Sequence, residues 1–371
     1  MSQPDTKRVS MIELFYDLVF VYMIAQATSL LRHLQHGIIA PSSLLLFAFI
    51  IIVFINSWMV QSVFTNRFGE SSLIDIGFAF VDMMIVLYMS NAFGNGAACS
   101  LRPFFIAAGL LSLTLFLQYL LVVLRTDQAV DRKIAQLFLG ILALRTGSLL
   151  LAGVLPPQAD IVCALIGVIV SWVAPSFTGF ATSKHPIIFA HLLERLTSLT
   201  IVLFGEVIVG IAGFFTESSF SITSVLIFVI VATLFFAYIT QFDHLIDDHR
   251  QGQTGNLLIY LHYPIIFGLS MINVAIELVT NATANHAFAV SFLYVGLTLF
   301  NFGIWLAQRY NKPQYQGHAR QNWGYMVVMA LGWVLCLQMT QPLLVLLLTA
   351  VVTSAGSVIL VTHMQKQQVR Q

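Results

Sequence analysis

Long apolar runs broken by short polar or Pro/Gly-bearing segments dominate the chain, at residues 11–31, 44–64, 73–91, 103–124, 133–154, 161–181, 192–214, 221–242, 257–279, 287–308, 323–340 and 343–362. Each run is about 20 residues, the length an α-helix rising 1.5 Å per residue needs to cross about 30 Å of hydrocarbon. The pattern predicts an all-α polytopic membrane protein of about twelve transmembrane helices. Its weakest break lies between Met339 and Pro342, where a tight hairpin and a single interrupted helix both fit. Composition agrees: of 371 residues 58% are apolar and only 9% charged, against about 25% charged in soluble domains. The breaks leave no length for a sizeable extramembrane domain. The opening MSQPDTKRVS runs into a full span without a small-residue cleavage site, so no removable signal peptide is expected.

The charges test the count independently. With both termini cytoplasmic, the inside segments hold Lys7, Arg8, Arg67, Arg125, Arg132, Lys133, Lys184, Arg195, Arg250, Arg309, Lys312, Arg320, Lys366 and Arg370, and the outside loops only Arg32 and Arg102. Fourteen against two is the bias of a positive-inside topology, and losing one helix from the count would scramble it. The formal net charge of +1 gives no concentrated basic surface, so nucleic acid is excluded as a partner. Cys99, Cys163 and Cys336 are too scattered for a disulfide framework or a cysteine metal site.

The two halves of the chain echo each other. Leu113-Thr114-Leu115-Phe116 followed by Arg125 recurs 184 residues later as Leu297-Thr298-Leu299-Phe300 followed by Arg309. Glu13 opens the first span as Glu194 opens the seventh, 181 residues on, and Trp58 with Gln61 ends the second as Tyr238 with Gln241 ends the eighth. These offsets predict two six-helix repeats, 11–181 and 192–362. An even number of spans per repeat makes the copies parallel, related by an axis along the membrane normal.

Glu13-Leu-Phe-Tyr-Asp17-Leu-Val-Phe-Val in the first span, with His191-Leu-Leu-Glu194-Arg195 and Phe204-Gly205-Glu206 in the seventh, resembles the bacterial low temperature requirement A (LtrA) family over most of the chain. The resemblance implies a multi-pass protein of the bacterial cytoplasmic (inner) membrane and supplies no substrate. Two positions depart from the family pattern: Tyr16 stands where Phe is usual, and Val207 replaces the Ser expected after Glu206, removing a hydroxyl beside the carboxylate.

Ionisable groups within spans cost at least about 2.5–3.5 kcal/mol each at mid-membrane and therefore ask for a reason. Glu206 lies midway along span seven; Arg195 is on the same face but about 16 Å away along the axis, too far for a direct pair. Asp75 and Asp82 share a face of span three, Arg145 sits mid-way along span five, and His262, Asn273 and Glu277 share a face of span nine. Glu206, Asp75, Asp82, Arg145, His262, Asn273 and Glu277 together predict a polar path for a substrate or proton, or alternatively a structural network in which Arg145 pairs with Asp82 or Glu206. At the cytoplasmic end, Glu13 and Asp17 are four residues apart on one helix face. With Glu194 and Arg195 they predict a gate that Arg195 or Lys184 bridges when closed, although acids at a helix N-terminus also suit the macrodipole. His191 with Glu194, and the cluster Asp243, His244, Asp247, Asp248 and His249, are fragments of ligand sets and do not make a metal site. No cofactor and no catalytic residue are expected.

No phosphate loop or nucleophile elbow is present, which excludes direct ATP drive. The expected function is a secondary transporter of a small molecule or ion, coupled to protons or a cation. The alternative is a lipid-handling protein, a scramblase or intramembrane enzyme. Acids distributed from the cytoplasmic surface to mid-depth suit a path better than a point site.

Overall fold

The computed structural model describes residues 7–93, 101–250, 252–315 and 319–368, without the side chains of 319–320 and 363–368. Cys99 and Arg370 fall outside this description, as do the side chains of Arg320 and Lys366. The helices are α1 (Met11–Ser29), α2 (Pro41–Phe68), α3 (Leu73–Ser90), α4 (Arg102–Arg125), α5 (Ala129–Ala152), α6 (Ala159–Val173), the single turn α7 (Gly179–Thr182), α8 (Phe189–Ile211), α9 (Ile222–Ile239), α10 (Asn256–Thr280), α11 (His286–Ala307), α12 (Ala319–Gln338) and α13 (Pro342–Gln368). Among the described residues, eleven helical segments are long and apolar enough to cross a membrane. Outside that set are the single turn α7 and α12, whose first turns carry Gln321, Asn322 and Gly324 and dilute its apolar character. Residues 339–341 are not helical, so the last two predicted runs are separate helices, with Pro342 at the first position of α13, where its missing N–H is not needed.

Two predicted runs end differently from expectation, and one connection is structured. The run 161–181 leaves the α-helix after Val173 for a 3₁₀ turn, Ala174–Phe177; Pro175 has no N–H to continue the ladder. Span eight passes from α9 into a π-helical turn, Thr240–Leu245. The segment between α1 and α2 forms a short antiparallel hairpin, with Leu34 opposite Ile39 and Gln35 opposite Ile38. Its two turn residues, His36 (φ 52) and Gly37 (φ 80), both take the left-handed conformation that matches the twist of paired strands.

The chain forms two compact units. One comprises the chain up to Leu30, Leu45–Leu199 and His249–Ile259; the other comprises Leu31–Leu44, Thr200–Asp248 and the chain from Tyr260 onward. In the first, α4 packs on α5, α5 on α6, and α3 on both α1 and α4. Val60, Phe64, Leu115, Tyr119, Ile134 and Phe138 form a core cluster there, with the Tyr119 and Phe138 rings stacked at 5.1 Å. In the second, α13 packs on α9 and α12, and α11 on α12. Large apolar side chains such as Phe80, Met84, Tyr88, Val209 and Phe228 remain exposed on the helix surfaces, as helices bathed in lipid require.

Candidate functional site

Two kinds of acid are embedded in these helices, distinguished by what faces them. The first kind sits at the start of α1. Ser10 caps that helix: its hydroxyl accepts from the Glu13 N–H, while the Ser10 N–H and hydroxyl donate to Glu13 Oε2 at 2.8 and 2.9 Å. This is the reciprocal capping arrangement, and it fixes the Glu13 side chain. Glu13 Oε1 then accepts from Arg195 Nη1 at 2.7 Å, and Arg195 Nη2 donates to Asp17 Oδ1 at 2.8 Å. One guanidinium thus holds two carboxylates one turn apart on α1, and all three side chains are buried. Trp58 of α2 completes the group: its indole N–H donates to Asp17 Oδ1 at 2.7 Å, and Arg195 lies over its ring at 5.2 Å from the centroid.

His191, one turn before Arg195 on α8, faces the same carboxylate, with Nε2 3.5 Å from Glu13 Oε2. Its tautomer follows from Asn66. The Asn66 amide is oriented by the backbone of Ile188, which donates to Oδ1 at 2.9 Å and accepts from Nδ2 at 3.0 Å. The amide nitrogen is 3.1 Å from His191 Nδ1 and can only donate there, so in the neutral ring the proton resides on Nε2, turned toward Glu13. Beside the guanidinium, the Ser10 N–H and hydroxyl donate to Glu13 and the Trp58 indole to Asp17. Among the described residues, Asp17 Oδ2, Arg195 Nε and His191 Nε2 find no hydrogen-bond partner within this buried group.

A pocket opens beside this cluster, lined by Glu13, Tyr16, Gln61, Asp75, Gln118, Arg195 and Lys7. Gln61 and Gln118 bond amide to amide at 3.0 Å. The Lys7 ammonium donates to the carbonyls of Thr65 and Gly69 at the end of α2. Burial holds its pKa below the ordinary lysine value, against the opposing pull of Glu13 and Asp75.

The second kind of acid has no cationic partner within ion-pair distance among the described residues. Asp82, 1% exposed in the first unit, accepts a hydrogen bond from the Thr114 hydroxyl of α4. Glu206, in the second unit, accepts from Asn273 Nδ2 at 2.9 Å through Oε1, while Oε2 is buried with no partner. Asn273 lies against Gly210, where a Cβ would come within 2.1 Å of the Asn273 Oδ1. Glycine at 210 is what lets α8 and α10 approach closely enough for the Glu206–Asn273 bond.

The other predicted positions distribute as follows. Arg145 donates to Val53 O at 3.2 Å and Ser57 Oγ at 2.5 Å. Asp75 caps the N-terminus of α3 with Ser72 and also lines the pocket beside Glu13. His262 is fully buried and bonds the Tyr238 hydroxyl at 3.1 Å. Glu277 pairs with Arg32 at 3.4 Å, both about half exposed. Glu194 is exposed and stands outside the group that joins Glu13, Asp17 and Arg195. Trp58, Asn66 and Thr114 were not singled out from the sequence as site residues. Among the described residues, no three of His, Cys, Asp and Glu converge as metal ligands would.

An all-α chain of many apolar helices that embeds acids among its spans is a multi-pass membrane protein of the bilayer interior. Comparison with known families assigns it further: the family model described as bacterial low temperature requirement A protein (LtrA) matches residues 8–362, and the chain belongs to the LtrA family. No curated protein and no solved structure matches it.

Proposed function

We propose that this LtrA-family protein is a secondary transporter of the bacterial cytoplasmic membrane, coupled to protons or another cation. The observation that carries the reading is Glu206: among the described residues, a mid-span carboxylate that accepts from the neutral Asn273 amide and whose second oxygen is buried without a partner. An ionised acid in that setting gains stability by taking up a proton or a cation. A carrier that moves it between a wet and a dry position converts that gain into coupling. Asp82 is the corresponding acid of the first unit. Arg145, His262, Asp75, Asn273 and Glu277 belong to the proposed path, and Glu13, Asp17 and Arg195 to the cytoplasmic gate, held closed by the guanidinium.

The duplication belongs to the same proposal, with 11–181 and 192–362 as parallel six-helix repeats and both termini cytoplasmic. Trp58 and Tyr238, which match across the repeats, each bond a buried polar partner, Asp17 and His262. Gln61 and Gln241, three residues later in each copy, each bond an amide, Gln118 and Asn311. This correspondence supports a shared ancestral helix pair.

Reconstitution into liposomes holding a trapped pH dye, screened with solutes by charge class, tests the reading. The expected result is a solute whose accumulation requires a pH or cation gradient and moves protons or that cation in step. Scrambling of fluorescent lipids with no solute flux would overturn it in favour of a lipid-handling protein.

A further inference from the structure

The second unit contains a pocket of a different character, between the second half of α9, the C-terminal half of α11, the first turns of α12 and the second half of α13. Its lining sets amides, hydroxyls and aromatic rings among aliphatic side chains such as Ile304, Met326 and Leu360, with no acidic or basic side chain among the described residues. We propose that it binds an uncharged polyhydroxylated group, a sugar ring or cyclic polyol.

The hydrogen-bonding inventory carries the argument. Gln308 and Asn322 close a two-bond amide ring, with Gln308 Nε2 donating to Asn322 Oδ1 at 3.1 Å and Asn322 Nδ2 donating to Gln308 Oε1 at 2.6 Å. Each amide is locked by the other and retains one N–H and one carbonyl lone pair. On α13, the Ser357 hydroxyl donates to Thr233 O at 2.7 Å, and Thr353 accepts from Thr233 Oγ1 at 2.9 Å. With its proton committed to the protein, Ser357 offers lone pairs to a ligand. The pocket therefore presents fixed N–H donors beside fixed acceptors, which is the pattern adjacent hydroxyl groups satisfy, because each hydroxyl both donates and accepts. Trp305 and Tyr325 supply flat faces against which the C–H side of a sugar ring packs. Tyr325 is held close to α13, over Gly356, where a Cβ would lie 2.4 Å from the Tyr325 Cζ.

The same inventory argues against other occupants. A charged ligand would be desolvated with no counter-charge among the described lining residues. A lipid tail would strand the outward donors and acceptors of the amide pair. The chemistry does not separate a free sugar from the headgroup of a glycolipid, so the test includes both.

The full-length protein, purified without glycoside detergents and placed in phosphatidylcholine nanodiscs, is assayed for equilibrium binding of radiolabelled glucose, maltose, myo-inositol and monoglucosyl diacylglycerol. Since no gradient is applied, a failure here is separate from a failure of the coupling proposal. The expected result is saturable binding of at least one of the four, weakened about tenfold or more by Asn322→Leu and by Ser357→Ala, with no displacement by gluconate or glucosamine. Binding by the soluble compounds identifies a free solute, and binding by the glycolipid alone identifies a headgroup. Absence of saturable binding by all four to protein with a cooperative melting transition would overturn the proposal. So would equal competition by gluconate, or unchanged affinity in both variants at wild-type melting temperature.

Discussion

Asp17 and Glu206 are both acids set in apolar helices, yet the side chains around them call for opposite responses to mutation. Asp17 shares Arg195 with Glu13, and its partner oxygen also accepts from Trp58. Removing the guanidinium leaves two buried carboxylates uncompensated, which typically costs about 3–5 kcal/mol. Arg195→Met is therefore expected to lower the melting temperature of the reconstituted protein sharply, and adding Glu13→Gln with Asp17→Asn to recover most of it. An unchanged melting temperature in Arg195→Met would show that the ion group is not closed in the membrane. Arg195→Lys is expected to fall between the two, because an ammonium lacks the planar fork whose separate arms reach Glu13 and Asp17. The acids, Arg195 and their helix positions were legible in the sequence, since charge inside an apolar run is conspicuous. Trp58 was not: an indole in a Phe- and Ile-rich helix looks the same whether it faces lipid or donates to an aspartate. The role of His191 was hidden for a similar reason, because Asn66, which sets its tautomer, is 125 residues away in sequence.

Between elements, the seam of α10 and α11 depends on glycine. A Cβ on Gly268 would lie 2.7 Å from the backbone oxygen of Gly296, and one on Gly303 would lie 2.8 Å from Leu261 O. These contacts are with backbone, which cannot yield as a side-chain tip does. Gly268→Leu is expected to force the helices apart and destabilise the protein by about 1–3 kcal/mol or more. Gly140→Ala on α5, where a Cβ would meet nothing within 4 Å, is expected to be neutral or mildly stabilising. A thermal-melting comparison checks both, and equal effects would refute the seam. Helix existence was readable from the runs because bilayer thickness imposes it. Departures within runs were less so: Pro175 truncates α6 inside a segment whose hydropathy continues, and the π-helical turn at Thr240–Leu245 has no glycine or proline to announce it. The hairpin turn at His36-Gly37 lacks the usual asparagine or aspartate before the glycine.

For the whole molecule, the fourteen-to-two charge split predicts that a cysteine placed at Thr280 is labelled from outside, and cysteines at Gln128 and Gln314 only after permeabilisation. The reverse pattern at two of these sites would contradict the proposed orientation and, with it, the placement of the Glu13–Asp17–Arg195 group at a cytoplasmic gate. The coupling claim is tested most directly by Glu206→Gln in proteoliposomes, with whichever solute the screen identifies. The amide imitates the protonated acid and keeps a partner for Asn273. The account predicts a folded, inserted variant that loses gradient-driven accumulation and keeps energy-independent exchange. Full pH-driven uptake by Glu206→Gln, or collapse of its fold, would contradict it and leave Glu206 a packing residue.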